Sequence, residues 1–289
     1  MTSAIPPAAL APVGLIAGWG RFPVYFARKA QEAGIPVVCV GIRGMASRED
    51  LEPYCSKFYW TGIGTLDKPI RSFRREGVTR WTMAGKFHKT FLFSPYLFFR
   101  VIPDLRTIRF WWGHNRRDNK DDTILLGIID EFARDGLICT SALDLCPELL
   151  VKEGTLTKRS VSASELADID FGWTLAREMG RLDVGQSVMV KNRMVLAVEA
   201  IEGTDQAILR AGLLCRSGGF VVVKVAKPDQ DMRFDVPTIG RTTIETIHKA
   251  GGRVLAVEAG KTICLDELET MALADRLGIT VIARTDIGR

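Results

Sequence analysis

The stretch VGLIAGWGRFPVYFARKA (13–30), followed by IPVVCVGI (35–42), decides the fold. Its first apolar run ends in Gly18 and reads as a buried strand. Pro23 then suits the first turn of a helix, where its missing N–H is not needed. The second apolar run is another strand. A strand, a helix and a strand in so short a span make a βαβ unit, with parallel strands and the helix covering one face. KFYWT (57–61) and VTRWTMAG (78–85) continue the pattern, with a short helix over 67–76 between them. DDTILLGIIDEFARDG (121–136) places Ile124, Leu125, Ile128, Ile129 and Phe132 on one helical face and stops at Gly136, and LICTS (137–141) returns as a strand. Residues 13–144 are therefore expected to form a Rossmann-like α/β domain around a parallel sheet.

The composition changes at 145–163, where CPELLVKEGTLTKRSVSASE mixes proline, glycine and serine, and this region is read as a linker opening a helix that runs to about Gly180. Residues 164–289 are expected to form a second α/β domain. QSVMVKNRMVLAVEA predicts a hairpin about Lys191-Asn192, which requires antiparallel strands. A helix from Asp205, the buried strand FVVVKVA (220–226), a polar loop to about Gly240, and further helices and strands ending in ITVIAR predict a mixed sheet. Residues 1–12 read as a loose tail without the basic start of a signal peptide.

At roughly 150 residues per domain, 289 residues fit this two-domain reading, and 47% hydrophobic residues exclude a disordered or collagen-like chain. Thirty-nine Lys and Arg against 34 Asp and Glu give +5, which permits an anionic partner but lacks the footprint of a dedicated nucleic-acid binder. The six cysteines form no C-x-x-C pair and there are three histidines, so a zinc site has little support. Cys39 and Cys264 lie in apolar runs, as small buried hydrophobes do, and the pattern suits a reducing cytoplasm. FLFSPYLFF (91–99) is about half of what a helix needs to span a bilayer.

Four regions could carry chemistry. Gly18, Gly20 and Arg21 lie in a strand-to-helix turn, where backbone N–H groups and the helix dipole favour a phosphate. Pro23 occupies the place of the third glycine of a dinucleotide fingerprint, and no acidic residue ends the next strand, so a nicotinamide cofactor is not expected. Residues 86–120 hold nine aromatics and eight Lys or Arg against two acidic residues, a pattern suited to acyl chains beneath anionic headgroups, to single-stranded nucleic acid, or to a core with a basic rim. Asp121-Asp122 begin a helix, as caps or as holders of a cation or sugar hydroxyl. Glu199, Glu202 and Asp205 crowd a strand's end, and the first two converge only if the chain bends near Ile201–Gly203; Thr204 reads as a helix cap. The loop Lys227-Pro-Asp-Gln230-Asp231-Met-Arg233-Phe-Asp235-Val-Pro237 follows a fully apolar strand, where α/β folds place ligands. Hard carboxylate oxygens suit Mg²⁺, and Lys and Arg neutralise phosphate.

GLIAGWGRFP, AGKF, the pair at 121–122, ADID…LAREMGRLDVGQ, VLAVEAIEGTD and above all RFDVPTIG resemble the UDP-2,3-diacylglucosamine pyrophosphatases of lipid A biosynthesis, from about Val13 onward. The resemblance implies metal-dependent hydrolysis of UDP-2,3-diacylglucosamine to UMP and 2,3-diacylglucosamine 1-phosphate, by water attack on the lipid-side phosphorus. It also implies a cytoplasmic enzyme, peripheral on the inner membrane, whose two domains clasp the substrate. The family's essential aspartate falls on Asp235, as metal ligand or base. Arg233 and Lys227 accompany it as catalytic candidates. Gly18, Gly20, Arg21, Gly85, Lys86, Asp122, Gln186, Thr204 and Gln230 are the substrate-binding candidates, and Asp235, Glu199, Glu202 and Asp205 those for Mg²⁺ or Mn²⁺. His88-Lys89-Thr90 stand where the family often has an Arg-Pro pair, on the lipid and sugar side. The sequence leaves room for a homodimer. Two readings compete: a non-catalytic nucleotide-sugar or lipid binder, which yields no UMP, and a nucleic-acid binder, whose affinity must fall steeply with salt.

Overall fold

A computed structural model describes residues 10–86, 103–114, 121–228 and 230–285, with the backbone alone at 113–114 and 121–123. The chain divides into two units, Met1–Cys146 and Pro147–Arg289.

In the first unit, β1 (Val13–Ala17) is followed by α1 (Phe22–Glu32), β2 (Val37–Ile42), the short α2 (Arg48–Leu51), β3 (Lys57–Thr61), α3 (Asp67–Arg75) and β4 (Arg80–Ala84). Then come α4 (Leu105–His114), α5 (Asp121–Ala133) and β5 (Ile138–Cys139). The sheet is ordered β3-β2-β1-β4-β5 and every pairing is parallel. Helices must therefore cover its faces, and the apolar runs of β1 and β2 are buried almost throughout. One side of the core is aromatic: Trp81 of β4 stacks on Phe132 of α5 with ring centroids 4.2 Å apart, and Phe73 of α3 meets both. The buried Trp81 indole N–H donates to the Leu137 carbonyl, so its polar atom costs nothing.

The second unit contains β6 (Gly154–Thr155), α6 (Ala163–Arg181), β7 (Ser187–Lys191), β8 (Met194–Val198) and α7 (Thr204–Leu214). β9 (Phe220–Lys224), β10 (Thr238–Ile239), α8 (Arg241–Ala250), β11 (Gly252–Glu258), β12 (Ile263–Cys264), α9 (Glu267–Arg276) and β13 (Thr280–Arg284) follow. The sheet order is β6-β13-β11-β9-β7-β8, with β9, β11 and β13 parallel and β6, β7 and β8 antiparallel to their neighbours, so the sheet is mixed. Alternate residues of β9 divide the core. Val221 and Val223 pack with Ile169 and Ala176 of α6, while Phe220 and Val222 belong to the cluster that contains Ile208, Ile244 and Leu273.

Of residues 145–163, read as linker, those from Pro147 onward are built into this unit. Val151 N–H bonds Thr262 O, β6 pairs with β13, and Val151 is buried in the main core. Proline and glycine content marked irregular backbone here, but irregular backbone can still pack. Ser162 then starts α6 with a complete capping box to Glu165, which Arg159 grips through both oxygens. The β7–β8 turn is centred on Asn192 and Arg193, one residue later than expected. Both have positive φ, and their N–H groups donate to the buried Asp168 carboxylate of α6 at 2.9 and 2.6 Å. A helix thereby fixes the hairpin register.

Asp168→Ala should orphan both N–H groups and destabilise the protein by about 3 kcal/mol, since hydrogen bonds to a charged group contribute roughly 1.5–3 kcal/mol each. Asp170→Ala, which deletes an exposed pair with Arg284, should cost under about 1 kcal/mol. Urea unfolding of both variants checks the ranking, and equal losses would contradict the clamp.

Candidate active site

In the first unit the sheet's winding reverses between β1 and β4, and the carboxyl ends of that pair are where open α/β sheets place ligands. The glycine turn and the AGK turn meet there. Gly18 N–H donates to Ala84 O, and Trp19 and Lys86 exchange N–H···O bonds of 3.0 and 2.8 Å. Gly85 has φ +98°, and a Cβ on it would lie 2.9 Å from Gly18 C and Trp19 O, so only glycine allows this approach. Gly18, Gly20, Arg21, Gly85 and Lys86 are thus brought together. The N–H groups of Gly18 and Trp19, however, are spent on this pairing. The donors left to face a phosphate are those at the start of α1, which has no side-chain cap. Asp122 lies in the first turn of α5, with its side chain outside the described residues.

The aromatic-basic region is described only in part; Phe98, Phe99 and His88-Lys89-Thr90 lie outside the described residues. Within α4, Leu105 and Trp112 are each 82% exposed, and Ile108 and Trp111 are about half so. The opposite side of α4 is tied down. Asp104 accepts from Thr107 N–H and Asp67 N–H, Thr107 Oγ1 accepts from Leu66 N–H, and Arg106 pairs with Glu131 and Asp135. The polar residues anchor the helix and leave its apolar ones outward, reversing the usual orientation of an amphipathic helix. A cavity of about 810 Å³ beside it is lined by Arg71, Arg106 and Arg134 together with Asp67 and Glu131, which pair among themselves.

In the second unit the candidates gather along the carboxyl edge of β9 and β11. Glu258, 1% exposed, ends β11 and takes Ala226 N–H at 3.0 Å and Lys261 Nζ at 2.9 Å, with Arg177 of α6 3.6 Å away. Arg177 also donates to Ala226 O. The residue before Lys227 is therefore gripped through both its N–H and its carbonyl. Lys227 Nζ bonds Asp183 at 2.6 Å and stands 3.9 Å from Asp235 Oδ2. Lys227 N–H also donates to Gln230 Oε1. Arg233 does not point its guanidinium at Asp235. It clasps Asp231 through Nε and an Nη at 2.6–3.0 Å and holds that carboxyl below its usual range. Asp231 is the anchor of Arg233, and among the described carboxylates of this loop Asp235 is the one beside a lysine.

The expected four-carboxylate cluster does not form. Among the described residues no three His, Cys, Asp or Glu side chains are placed to hold a metal ion. Gly203 bends the chain with φ +82°, but Arg210 takes up Glu202 at 2.6 Å. Asp205 sits in the first turn of α7, where the dipole favours a carboxylate. Glu199 is buried on β8's end, its Oε1 accepting from Thr204 Oγ1 at 2.9 Å. Gly203, not Thr204, is the N-cap of α7, and the Thr204 hydroxyl also accepts from buried Lys224 at 3.3 Å. Gln186 Oε1, Gln230 Nε2 and Glu199 Oε2 are buried without a hydrogen-bond partner among the described residues. Lys224, Asp183, Arg177 and Glu258 escaped the sequence reading. A lysine inside FVVVKVA was the available signal, since a charge in an otherwise apolar strand demands buried partners. Cys264 is the inert hydrophobe expected, its thiol pushed up to about 12 chiefly by burial.

Residues 12–149 match the LpxI N-terminal domain family and residues 152–282 the LpxI C-terminal domain family. The "UDP-2,3-diacylglucosamine pyrophosphatase LpxI" of Caulobacter vibrioides is 34% identical over 279 residues, covering 93% of this chain and 96% of its own. A solved structure, "Crystal structure of gox2253", matches at 13% identity and TM-score 0.30, covering 94% of this chain and 78% of that one, and bears no weight here. The two domain matches follow one another through the two units of the fold. With the full-length likeness to the Caulobacter protein, they establish that this chain belongs to the LpxI family.

Proposed function

We propose that this protein hydrolyses the pyrophosphate of UDP-2,3-diacylglucosamine, giving UMP and 2,3-diacylglucosamine 1-phosphate. The observation that carries this reading is 34% identity, across nearly the whole of both chains, to a protein of that name. Each unit supplies parts of its own. In the second, Lys227 offers positive charge to phosphate oxygens, and in the first the start of α1 offers backbone N–H groups. Asp235, partly exposed beside Lys227, is free of the tight pairing that consumes Asp231 and Glu202, so it can accept a proton from water or orient it. UMP leaves as a stable anion, so no strong general acid is needed.

Mg²⁺ or Mn²⁺ fits this arrangement in a reduced form. Mg²⁺ is commonly held by one or two carboxylates plus substrate phosphates and water, and Asp235 can be that carboxylate. Glu202 does not fit, because Arg210 holds it. Bound there, the ion would spread the negative charge that develops at phosphorus. Gln186, Gln230, Gly18, Gly20, Arg21, Gly85, Lys86 and Asp122 remain candidates for substrate contact.

The outward apolar residues of α4 are read as the acyl-chain side, working at the cytoplasmic face of the inner membrane as a peripheral protein. Among the described residues no helix is long and apolar enough to cross a membrane.

Purified protein incubated with UDP-2,3-diacylglucosamine should release UMP, and exhaustive chelation should abolish that release until Mg²⁺ or Mn²⁺ is restored. Binding without UMP would favour a non-catalytic nucleotide-sugar binder, and full activity after chelation would remove the metal. Asp235→Ala should lower kcat by about a thousandfold or more while substrate still binds, because the lost interaction acts in the transition state. Asp231→Ala, which only releases Arg233, should do far less damage; equal losses would make the motif's aspartate structural. Replacing Leu105, Ile108 and Trp112 by serine should weaken the diacylated substrate much more than its deacylated analogue, at about 0.8 kcal/mol per buried methylene. Equal effects on both substrates would return α4 to another role.

A further inference from the structure

Lys224 takes no part in the chemistry above, yet it is 6% exposed at the end of an otherwise apolar strand. Taking an ammonium out of water costs several kcal/mol unless it is well partnered. Its register explains the partners. Lys224 pairs with Ser187 across β9–β7, and Glu199 N–H donates to Ser187 O, so the three side chains share one face. Across that row Lys224 Nζ donates to Thr204 Oγ1 at 3.3 Å and Thr204 Oγ1 donates to Glu199 Oε1 at 2.9 Å, balancing a buried cation and a buried anion through one hydroxyl. Lys224 Nζ also donates to the carbonyl of Thr238 at 3.1 Å.

Thr238 lies three residues after Asp235, and little slack separates them. Pro237 has a fixed φ, its carbonyl accepts Ile263 N–H at 2.7 Å, and Thr238 Oγ1 donates to Val236 O. At the loop's entry Lys227 binds Asp183 and faces Asp235. The loop is thus held by a lysine at each end.

We propose that Lys224 is a positioning residue for Asp235: its ammonium ties the end of the 227–237 loop, through Thr238 O, to the first turn of α7, through Thr204. This rests on the reading of Asp235 as the reacting carboxylate. Misplacing a reacting group by about 1 Å can cost 100-fold in rate.

Lys224→Met keeps the apolar stem and removes the charge. Wild type, Lys224→Met, Asp235→Ala and the double variant are compared by kcat, KM, single-turnover rate at excess enzyme, and melting temperature. The expected result for Lys224→Met is about a 10- to 100-fold loss in kcat with KM within about threefold of wild type. The double variant should be no slower than Asp235→Ala alone, because Lys224 acts through Asp235. A folded Lys224→Met with wild-type kcat, or losses that multiply in the double variant, would overturn the proposal. Near-normal turnover by Asp235→Ala alone would instead overturn the reading of the loop, whatever Lys224 does. If Lys224→Met does not fold, Thr204→Val cuts the same tie with both charges retained. It should then lower kcat by about threefold or more with KM little changed, and an unchanged kcat would refute the tie.

Discussion

A carboxylate that cannot be left alone in an apolar interior governs the second unit. Glu258 ends β11 almost wholly out of solvent, where an unpaired charge would cost several kcal/mol. It is compensated by the Ala226 N–H, by Lys261, and by Arg177 reaching from α6. These contacts fix the point at which β9 stops being strand and becomes loop. Lys227 follows directly, so the entry to the loop that carries Asp235 depends on a residue 23 positions beyond that aspartate in the chain. The same logic acts one strand away, where Lys224 and Glu199 balance each other through Thr204.

The first unit works with backbone rather than charge. A parallel sheet that reverses its winding between β1 and β4 leaves a crevice outside their carboxyl ends, and two glycine-containing turns close toward each other there. Their mutual hydrogen bonds use up N–H groups that the glycine pattern alone offers to a phosphate. The turn consequently offers fewer donors than its glycine pattern suggests. Charge in this unit is largely self-neutralised around α3, α4 and α5, which holds α4 firmly while its apolar residues face out. A helix anchored by its polar side can leave Leu105 and Trp112 exposed without losing its place in the fold.

Much of this was legible in the residues. Apolar period and length identified β1, β2, β3, β4 and β9, Gly18 closed the first strand and Gly136 stopped the helix before β5, because a strand buried on both faces and a helix with one apolar stripe are local patterns. The mixed character of the second sheet followed from one hairpin. The motif R-x-D-x-P-T-I-G singled out the loop with Asp235. The linker reading of 145–163 missed β6 because its partner strand is β13, more than a hundred residues away, and no local pattern announces a long-range pairing.

The roles of like-charged residues were decided only in three dimensions. Asp231, Asp235, Glu199, Glu202 and Glu258 carry the same charge, and composition treats them alike. What separates them is which cation lies within about 3 Å and how much water remains. Arg233 consumes Asp231, Arg210 consumes Glu202, Glu258 is locked in the core, and Asp235 stays partly exposed beside Lys227. The sequence by itself determined most of the strands and helices and marked the loop of Asp235, because such patterns depend on each residue's immediate neighbours along the chain. Which carboxylates are paired was decided in space: Arg210 of α7 takes Glu202 and Arg177 of α6 approaches Glu258, as Arg233 takes Asp231 within the loop, because electrostatic pairing falls off over a few ångströms and takes no account of distance along the chain.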